Sequence, residues 1–168
     1  YMFNHVSMFD QFMIGAYIPH YITAVAAIEV FKYPIWGFII RKYGVIPIIR
    51  QKIKKAIGSL NLAEDAIKKG VSFLISPEGT RTLTGQMGPF KKGPFHLAKN
   101  TNATIIPIGL LGGFKAKKKS DWRIFPGILT IKFGQPIKSD TFKNMDIIEL
   151  QNLVFDKINI LIDKKGKI

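Results

Sequence analysis

Cysteine is absent from this 168-residue chain. That excludes a disulfide framework, Cys-ligated zinc or iron–sulfur centres and a thiol nucleophile, and it fits a reducing compartment. Gly-x-Gly-x-x-Gly, Walker-type and Gly-x-Ser-x-Gly patterns are missing too, so nucleotide cofactors of those classes and a serine nucleophile elbow have no support. Acidic residues are scarce, 11 against 25 Lys and Arg, for a formal charge of +14. Lys and Arg are themselves absent from residues 1–31, where the acids are Asp10 and Glu29. No uninterrupted apolar run reaches the ~20 residues that a membrane-spanning helix needs. Phe12–Phe31 is broken by Pro19, His20, Thr23 and Glu29, and Ile35–Ile49 by Arg41 and Lys42. Such runs exclude a span but leave a surface-lying apolar face open.

What is present fits one globular domain over residues 1–168. Hydrophobic residues make up 47% and aromatics 12%, too core-rich for disorder. A chain this long buries roughly two-thirds of its unfolded surface. It opens at Tyr1 rather than Met, so it is read as a piece of a longer protein whose membrane-anchoring part precedes it. All the basic residues lie from Lys32 onward, with a peak at Lys115, Lys117, Lys118, Lys119 and Arg123. A pI near 10 points either to an anionic partner (nucleic acid, anionic lipid or a phosphorylated small molecule) or to a solvated Lys-rich surface.

Apolar runs alternate with helical patterns, without repeats or low-complexity linkers. Strands are predicted at Tyr1–Asn4, Tyr21–Ala27, Val45–Ile49, Val71–Ser76, Thr104–Leu110 and Ile128–Phe133. Helices are predicted at Met8–Tyr17, Pro34–Tyr43, Gln51–Lys69, Pro94–Lys99 and Met145–Asp163. In the third, Ile53, Ile57, Leu60, Ala63 and Ile67 form one stripe, and Gly70 ends it. The alternation gives an α/β domain with a mostly buried mixed sheet flanked by helices. In such sheets function collects in loops at strand ends. That directs attention to His5, Arg50, Pro77–Arg81 and Pro107.

His5 and Asp10 are five residues apart, about 140° around a straight helix. They meet only if His5 precedes the helix and folds back over its first turn. Ser7 as N-cap of a helix from Met8 would leave His5 outside it. A carboxylate beside an imidazole fixes its tautomer and stabilises its protonated form. The alternative is structural: Ser7-x-x-Asp10 has capping-box spacing, so Asp10 could serve the helix terminus alone. Gly44 through Arg50 is a strand ending in Arg, whose guanidinium fork suits phosphate, or a surface Arg opening the next helix. Ser76-Pro77-Glu78-Gly79-Thr80-Arg81 follows a buried strand. A carboxylate, a glycine, a hydroxyl and a guanidinium there suit an oxyanion or phosphate loop, with Glu78 orienting Arg81 or accepting a substrate hydroxyl. The plainer reading is a tight turn with a local Glu78–Arg81 pair. His20 and His96 lack metal-ligand spacing to His5, no metal site is expected, and His96 reads as packing. Aromatics fall in apolar runs rather than between basic residues, which weighs against nucleic acid.

Four ordered blocks together resemble the glycerophospholipid acyltransferase family, whose best-known members are the 1-acylglycerol-3-phosphate acyltransferases. His-x-x-x-x-Asp matches His5 and Asp10; Gly-x-x-(Phe or Pro)-x-x-Arg matches Gly44 through Arg50; Pro-Glu-Gly-Thr-Arg matches Pro77 through Arg81; and a Pro within an apolar strand matches Ile105-Ile106-Pro107-Ile108. Pro89 through Ala98 is similar to the family's connection between its third and fourth blocks. The resemblance implies the family's α/β fold and a role in phospholipid biosynthesis. It implies His5 as general base toward an acceptor hydroxyl, Asp10 orienting it, and direct attack on an acyl thioester. It also implies Arg50, Glu78, Gly79, Thr80 and Arg81 around the glycerol phosphate, and Pro107 shaping the acyl or acceptor site. No cofactor is implied. The co-substrate is acyl-coenzyme A or acyl carrier protein, the acceptor a lysophospholipid, most simply 1-acylglycerol-3-phosphate giving phosphatidate, and the location the cytoplasmic face of a phospholipid membrane. One departure bears on the acceptor: Ala27 and Ile28 precede Glu29-Val30-Phe31 where many relatives carry Lys.

Two other classes remain beside this one. A non-catalytic module binding anionic lipid or nucleic acid accounts for Lys115–Lys119 but leaves the His5/Asp10 and Glu78/Arg81 blocks without a purpose. A lipid or thioester hydrolase would use the same His5 toward water and release acyl groups without an acceptor.

Overall fold

Six strands and seven α-helices carry the chain in a computed structural model that describes residues 1–49 and 53–163, residues 53–55 by backbone alone. The strands are β1 (Met2–Phe3), β2 (Ile22–Ala27), β3 (Ile46–Ile48), β4 (Ser72–Leu74), β5 (Pro107–Leu111) and β6 (Thr130–Phe133). They pair in the orders β3-β2-β4 and β1-β5-β6. The two groups join where Phe3 N–H donates to Ile75 O (3.3 Å) and Ile75 N–H to Tyr1 O (3.0 Å). The succession across the sheet is therefore 3-2-4-1-5-6, parallel except for the antiparallel β5–β6 pair.

Parallel neighbours require crossovers, and the helices supply them. Between successive strands lie α1 (Asp10–Gly15), α2 (Pro34–Lys42), α3 (Ile53–Lys68) and α4 (Gly93–Thr101). Short α5 (Gly113–Ala116) and α6 (Ser139–Phe142) flank β6, and α7 (Ile147–Ile162) closes the fold. Side chains alternate across a strand, so the two residues of β1 serve two cores. Met2 packs with Phe95, Leu150, Val154 and Ile158 from α4 and α7. Phe3 packs with Ile14, Ile22, Leu74, Ile108 and Leu110 on the α1 side. The sheet is thus covered on both faces, as the α/β reading expected.

Local signals account for the helix ends. Pro34 occupies the first turn of α2. At the end of α3, Gly70 takes φ +87° and Val71 N–H returns to Ala66 O (3.0 Å). In α7, Asp146 and Glu149 form a reciprocal capping box.

Several expectations are corrected. Ser7 does not cap α1: the helix begins at Asp10 with Phe9 in the cap position and no side-chain cap bond. Ile57 is exposed, so the buried stripe of α3 runs through Leu60, Ala63 and Ile67. Residues 104–106 do not extend β5; Ile105 pairs instead with Ile137, exchanging bonds of 2.9 and 2.8 Å. His96 does not pack inward but lies exposed on α4. The 3₁₀ turn Ile28–Lys32 and helices α5 and α6 were not foreseen. Among the described residues no helix is long and apolar enough to cross a membrane. Helices α1 and α2 do leave Phe12, Ile35, Phe38 and Ile39 exposed beside one another, with the Phe12 and Trp36 rings 5.5 Å apart.

Candidate active site

Loops after the C-terminal ends of β1, β4 and β5 converge, which is where open α/β sheets place ligands. Chain order puts His5 two residues past β1, Pro77–Arg81 three past β4, and Gly112–Gly113 directly after β5.

His5 is positioned by its backbone. Its N–H donates to Glu78 Oε1 (2.7 Å) and its carbonyl accepts from Thr82 N–H (2.8 Å). The residue before it, Asn4, is buried and bridges to β5: Asn4 Nδ2 donates to Leu110 O (3.0 Å), and Leu110 N–H donates to Asn4 Oδ1 (2.7 Å). One side chain therefore satisfies both polar groups of a strand residue. Asn4→Leu would leave that buried pair unmet, at roughly 1–2 kcal/mol for each group. The expected result is a Tm lowered by about 5–15 °C in thermal unfolding, and an unchanged Tm would show that Leu110 finds other partners.

Asp10 is fully buried and turned back toward the residues that precede it. Its Oδ2 accepts from His5 Nδ1 (2.7 Å), Val6 N–H (2.8 Å) and Ser7 N–H (3.0 Å). The Ser7 contact is half of a capping box, with the carboxylate in the accepting role. Ser7 Oγ instead donates to Lys117 O (3.3 Å). Three donors converging on one oxygen make the strand-to-helix turn fold over itself, and this brings His5 to Asp10 without a continuous helix. A carboxylate facing Nδ1 assigns the proton to that nitrogen and leaves Nε2 as the free base. The His5 side chain is 22% exposed. Its Nε2 has no hydrogen-bond partner among the described residues, and the Phe3 ring backs it edge-on at 5.5 Å. A buried carboxylate on one ring nitrogen and an unpartnered second nitrogen give an arrangement that can act as a general base.

The loop from Pro77 to Arg81 has a different internal arrangement from the one expected. Glu78 pairs neither with Arg81 nor with solvent. It is buried, with Oε1 on His5 N–H and Oε2 on Gly88 N–H (2.8 Å). Burial pushes its carboxyl above the usual carboxylate range, the two backbone donors opposing the shift. Glu78 is thus a positioning residue tying the 77–88 loop to the base. Gly79 takes φ +70°, a backbone state that favours glycine. Thr80 is exposed and its Oγ1 accepts from Lys119 Nζ (2.8 Å), while Arg81 is half-buried. These three residues form the outward rim of the loop.

Of the other predicted residues, Arg50 lies outside the described residues. Pro107 is fully buried in β5 opposite Met2, three residues before Leu110. The structure does not bring it to His5; its ring closes against residue 134, where an added Cβ would sit 2.8 Å away. Sequence reading missed Asn4, Thr82, Gly88 and Lys119. The partners of Asn4, Thr82 and Lys119 lie 39 or more residues away in the chain, and Gly88 meets Glu78 across a loop of ten, so no local pattern marks them. Among the described residues no cluster of three or more His, Asp or Glu side chains is placed to hold a metal ion. A concavity of about 330 Å³ bounded by Tyr1, His20, Phe73, Leu97 and Ile105 opens at the other, N-terminal ends of the strands.

Comparison with known proteins gives the family. The chain is 36% identical over 148 residues to the 1-acyl-sn-glycerol-3-phosphate acyltransferase of Cocos nucifera, covering 88% of this chain and 48% of that one. It is 34% identical over 157 residues to the enzyme of the same name from Limnanthes douglasii, covering 93% and 56%. The chain spans about half the length of these relatives. The crystal structure of the 1-acyl-sn-glycerophosphate acyltransferase of Thermotoga maritima superposes with a TM-score of 0.82 at 26% identity, over 95% of this chain and 62% of that one. The family model described as Acyltransferase matches residues 1–111, from the first strand through the end of β5. By that match the chain belongs to the acyltransferase family.

Proposed function

We propose that the protein transfers a fatty acyl group from a thioester, acyl-coenzyme A or acyl carrier protein, to the free hydroxyl of 1-acylglycerol-3-phosphate, giving phosphatidate. The observation that carries this is the His5–Asp10 pair: Nδ1 held at 2.7 Å by a buried carboxylate, with Nε2 unpartnered among the described residues on a partly exposed side chain. Nε2 takes the proton of the acceptor hydroxyl as its oxygen bonds to the thioester carbonyl carbon. The carbon–sulfur bond breaks, and the imidazolium returns its proton to the departing thiolate. Asp10 stabilises the imidazolium formed between these steps. No covalent acyl-enzyme is needed, in keeping with a chain that has no cysteine.

The surroundings fit both ends of such an acceptor. Gly79, Thr80 and Arg81, with Lys119 at Thr80, offer donors and charge to a glycerol phosphate. Lys119 supplies a cation in a sequence that has Ala27 and Ile28 where many relatives carry Lys. On the other side of His5, exposed Met8 and Phe12 continue into the apolar face of α2, suited to an acyl chain or to the bilayer that holds it.

The test is to incubate the protein in lipid vesicles with labelled acyl-coenzyme A and a panel of lysophospholipids, beside His5→Ala, and then with acylated carrier protein as donor. His5-dependent phosphatidate from lysophosphatidate is the expected product. Acyl release that does not need an acceptor would make it a hydrolase. No acyl chemistry with either donor, while vesicle or DNA binding persists, would make it a binding module.

A further inference from the structure

The segment joining α5 to β6, residues 117–129, has no regular secondary structure and turns its large apolar side chains outward. Trp122 is 87% exposed, Ile128 86% and Ile124 65%, and Phe125 lies exposed beside them. A soluble surface rarely exposes so many large apolar groups within eight residues. The same stretch is basic: Lys117, Lys118, Lys119 and Arg123, preceded by Lys115 in α5, stand against Asp121 alone. Asp121 is already spent on Arg123, which holds it in a forked contact (3.0 and 2.8 Å) and keeps its carboxyl down at about 2.

The loop is nevertheless fixed at its base. Phe125 N–H donates to Ala116 O (2.8 Å), closing it, and Lys117 N–H donates to Gly113 O (2.9 Å). Two contacts tie it to the site: Ser7 Oγ to Lys117 O and Lys119 Nζ to Thr80 Oγ1. The first residues of the loop therefore stand next to both the His5–Asp10 turn and the rim of the Pro77–Arg81 loop.

We propose that residues 117–129 form a membrane-docking loop that inserts Trp122, Ile124 and Ile128 into the interface of an anionic bilayer while Lys118, with Lys115 beside the loop, meets its headgroups. Tryptophan with aliphatic neighbours favours the headgroup level of a bilayer. Cations near an anionic surface strengthen binding roughly fivefold each. Nucleic acid or an acidic carrier protein would use the cations but gives no role to exposed Ile124 and Ile128. The inference rests on an acceptor carried in a bilayer. It adds the face by which the protein meets that bilayer, and through Lys119–Thr80 it sets the headgroup plane level with the phosphate rim.

The chain contains two tryptophans, so Trp36→Phe leaves Trp122 as its single indole. With the protein carrying that change, addition of vesicles containing phosphatidylglycerol should shift Trp122 emission to the blue, and brominated acyl chains should quench it. Phosphatidylcholine vesicles alone should produce a much smaller response. Emission unchanged by anionic vesicles, whether or not the protein binds them, overturns the proposal. So does a shift produced by acylated carrier protein or DNA but not by vesicles. In a second arm, Trp122→Ser/Ile124→Ser/Ile128→Ser should lower transfer to lysophosphatidate in vesicles at least tenfold while sparing transfer to a soluble short-chain acceptor. Equal loss on both acceptors would mean the loop supports the fold rather than docking. If the parent protein makes no phosphatidate at all, the acyl-transfer reading fails, and the Trp122 quenching result still decides the docking loop by itself.

Discussion

Acyl transfer by the His5→Ala variant is expected to fall by roughly 10²- to 10⁴-fold, the usual contribution of a positioned general base, with Tm within about 2 °C of the parent. The side chain is partly exposed and makes one hydrogen bond, to Asp10. Its backbone anchors, Glu78 on the N–H and Thr82 on the carbonyl, do not involve the imidazole. The base can therefore be removed while the turn that holds it persists. Asp10→Asn should separate charge from geometry. The amide oxygen can still accept from Val6 and Ser7 N–H, so the turn survives, but a neutral amide no longer stabilises the imidazolium. We expect kcat to fall by a similar order, with KM for either substrate changed little, because the loss belongs to the transition state. Asp10→Asn with the parent kcat would assign the carboxylate to the turn alone, as the capping-box spacing allows.

That turn also marks how far sequence reading reaches. The pairing of His5 with Asp10 was implied by the four-block resemblance; the spacing added only that the two can meet if the chain folds back ahead of the helix. The way the fold-back is made was not legible. A capping serine ahead of the helix was the expectation; instead Asp10 draws Val6 and Ser7 N–H onto its own carboxylate. Both arrangements have the same residues at the same spacing, and in the fold all three donors fall on Oδ2 while Oδ1 stays buried without a partner. The long helices α3 and α7 were legible from their periodicity, and β2 from its β-branched run. Helices α5 and α6, each four residues long, show no periodic signal. Asn4 is a further case. Its two bonds to Leu110 bridge a separation of 106 residues, and only the pairing of β1 with β5 brings the partners together.

Glu78 is tied to His5 and Gly88 through two backbone donors that sequence reading did not give, and its removal is the second large effect expected. Glu78→Ala would leave His5 N–H and Gly88 N–H without their acceptor in a buried setting. Each orphaned donor costs about 1–3 kcal/mol, and His5 would lose the anchor that sets where its imidazole stands. A displacement near 1 Å at a reacting group costs on the order of 10²-fold in rate, so both Tm and kcat should fall. Glu78→Gln is the sharper variant, because one donor keeps an amide oxygen while the other meets an NH₂. Its effect should depend on pH with a definite sign. Burial raises the folded-state carboxyl above its ordinary value near 4.5, so between these two values the folded protein holds more proton than the unfolded chain. Stability contributed by this group is then fully present below pH 4.5 and is lost as pH rises through the folded value. Glutamine does not titrate. The stability advantage of the parent over Glu78→Gln should therefore shrink as pH is raised from about 4.5 to 7.5 in urea unfolding. An advantage that grows over that range would mean that the two backbone donors outweigh burial, making Glu78 a stabilised carboxylate rather than a strained one.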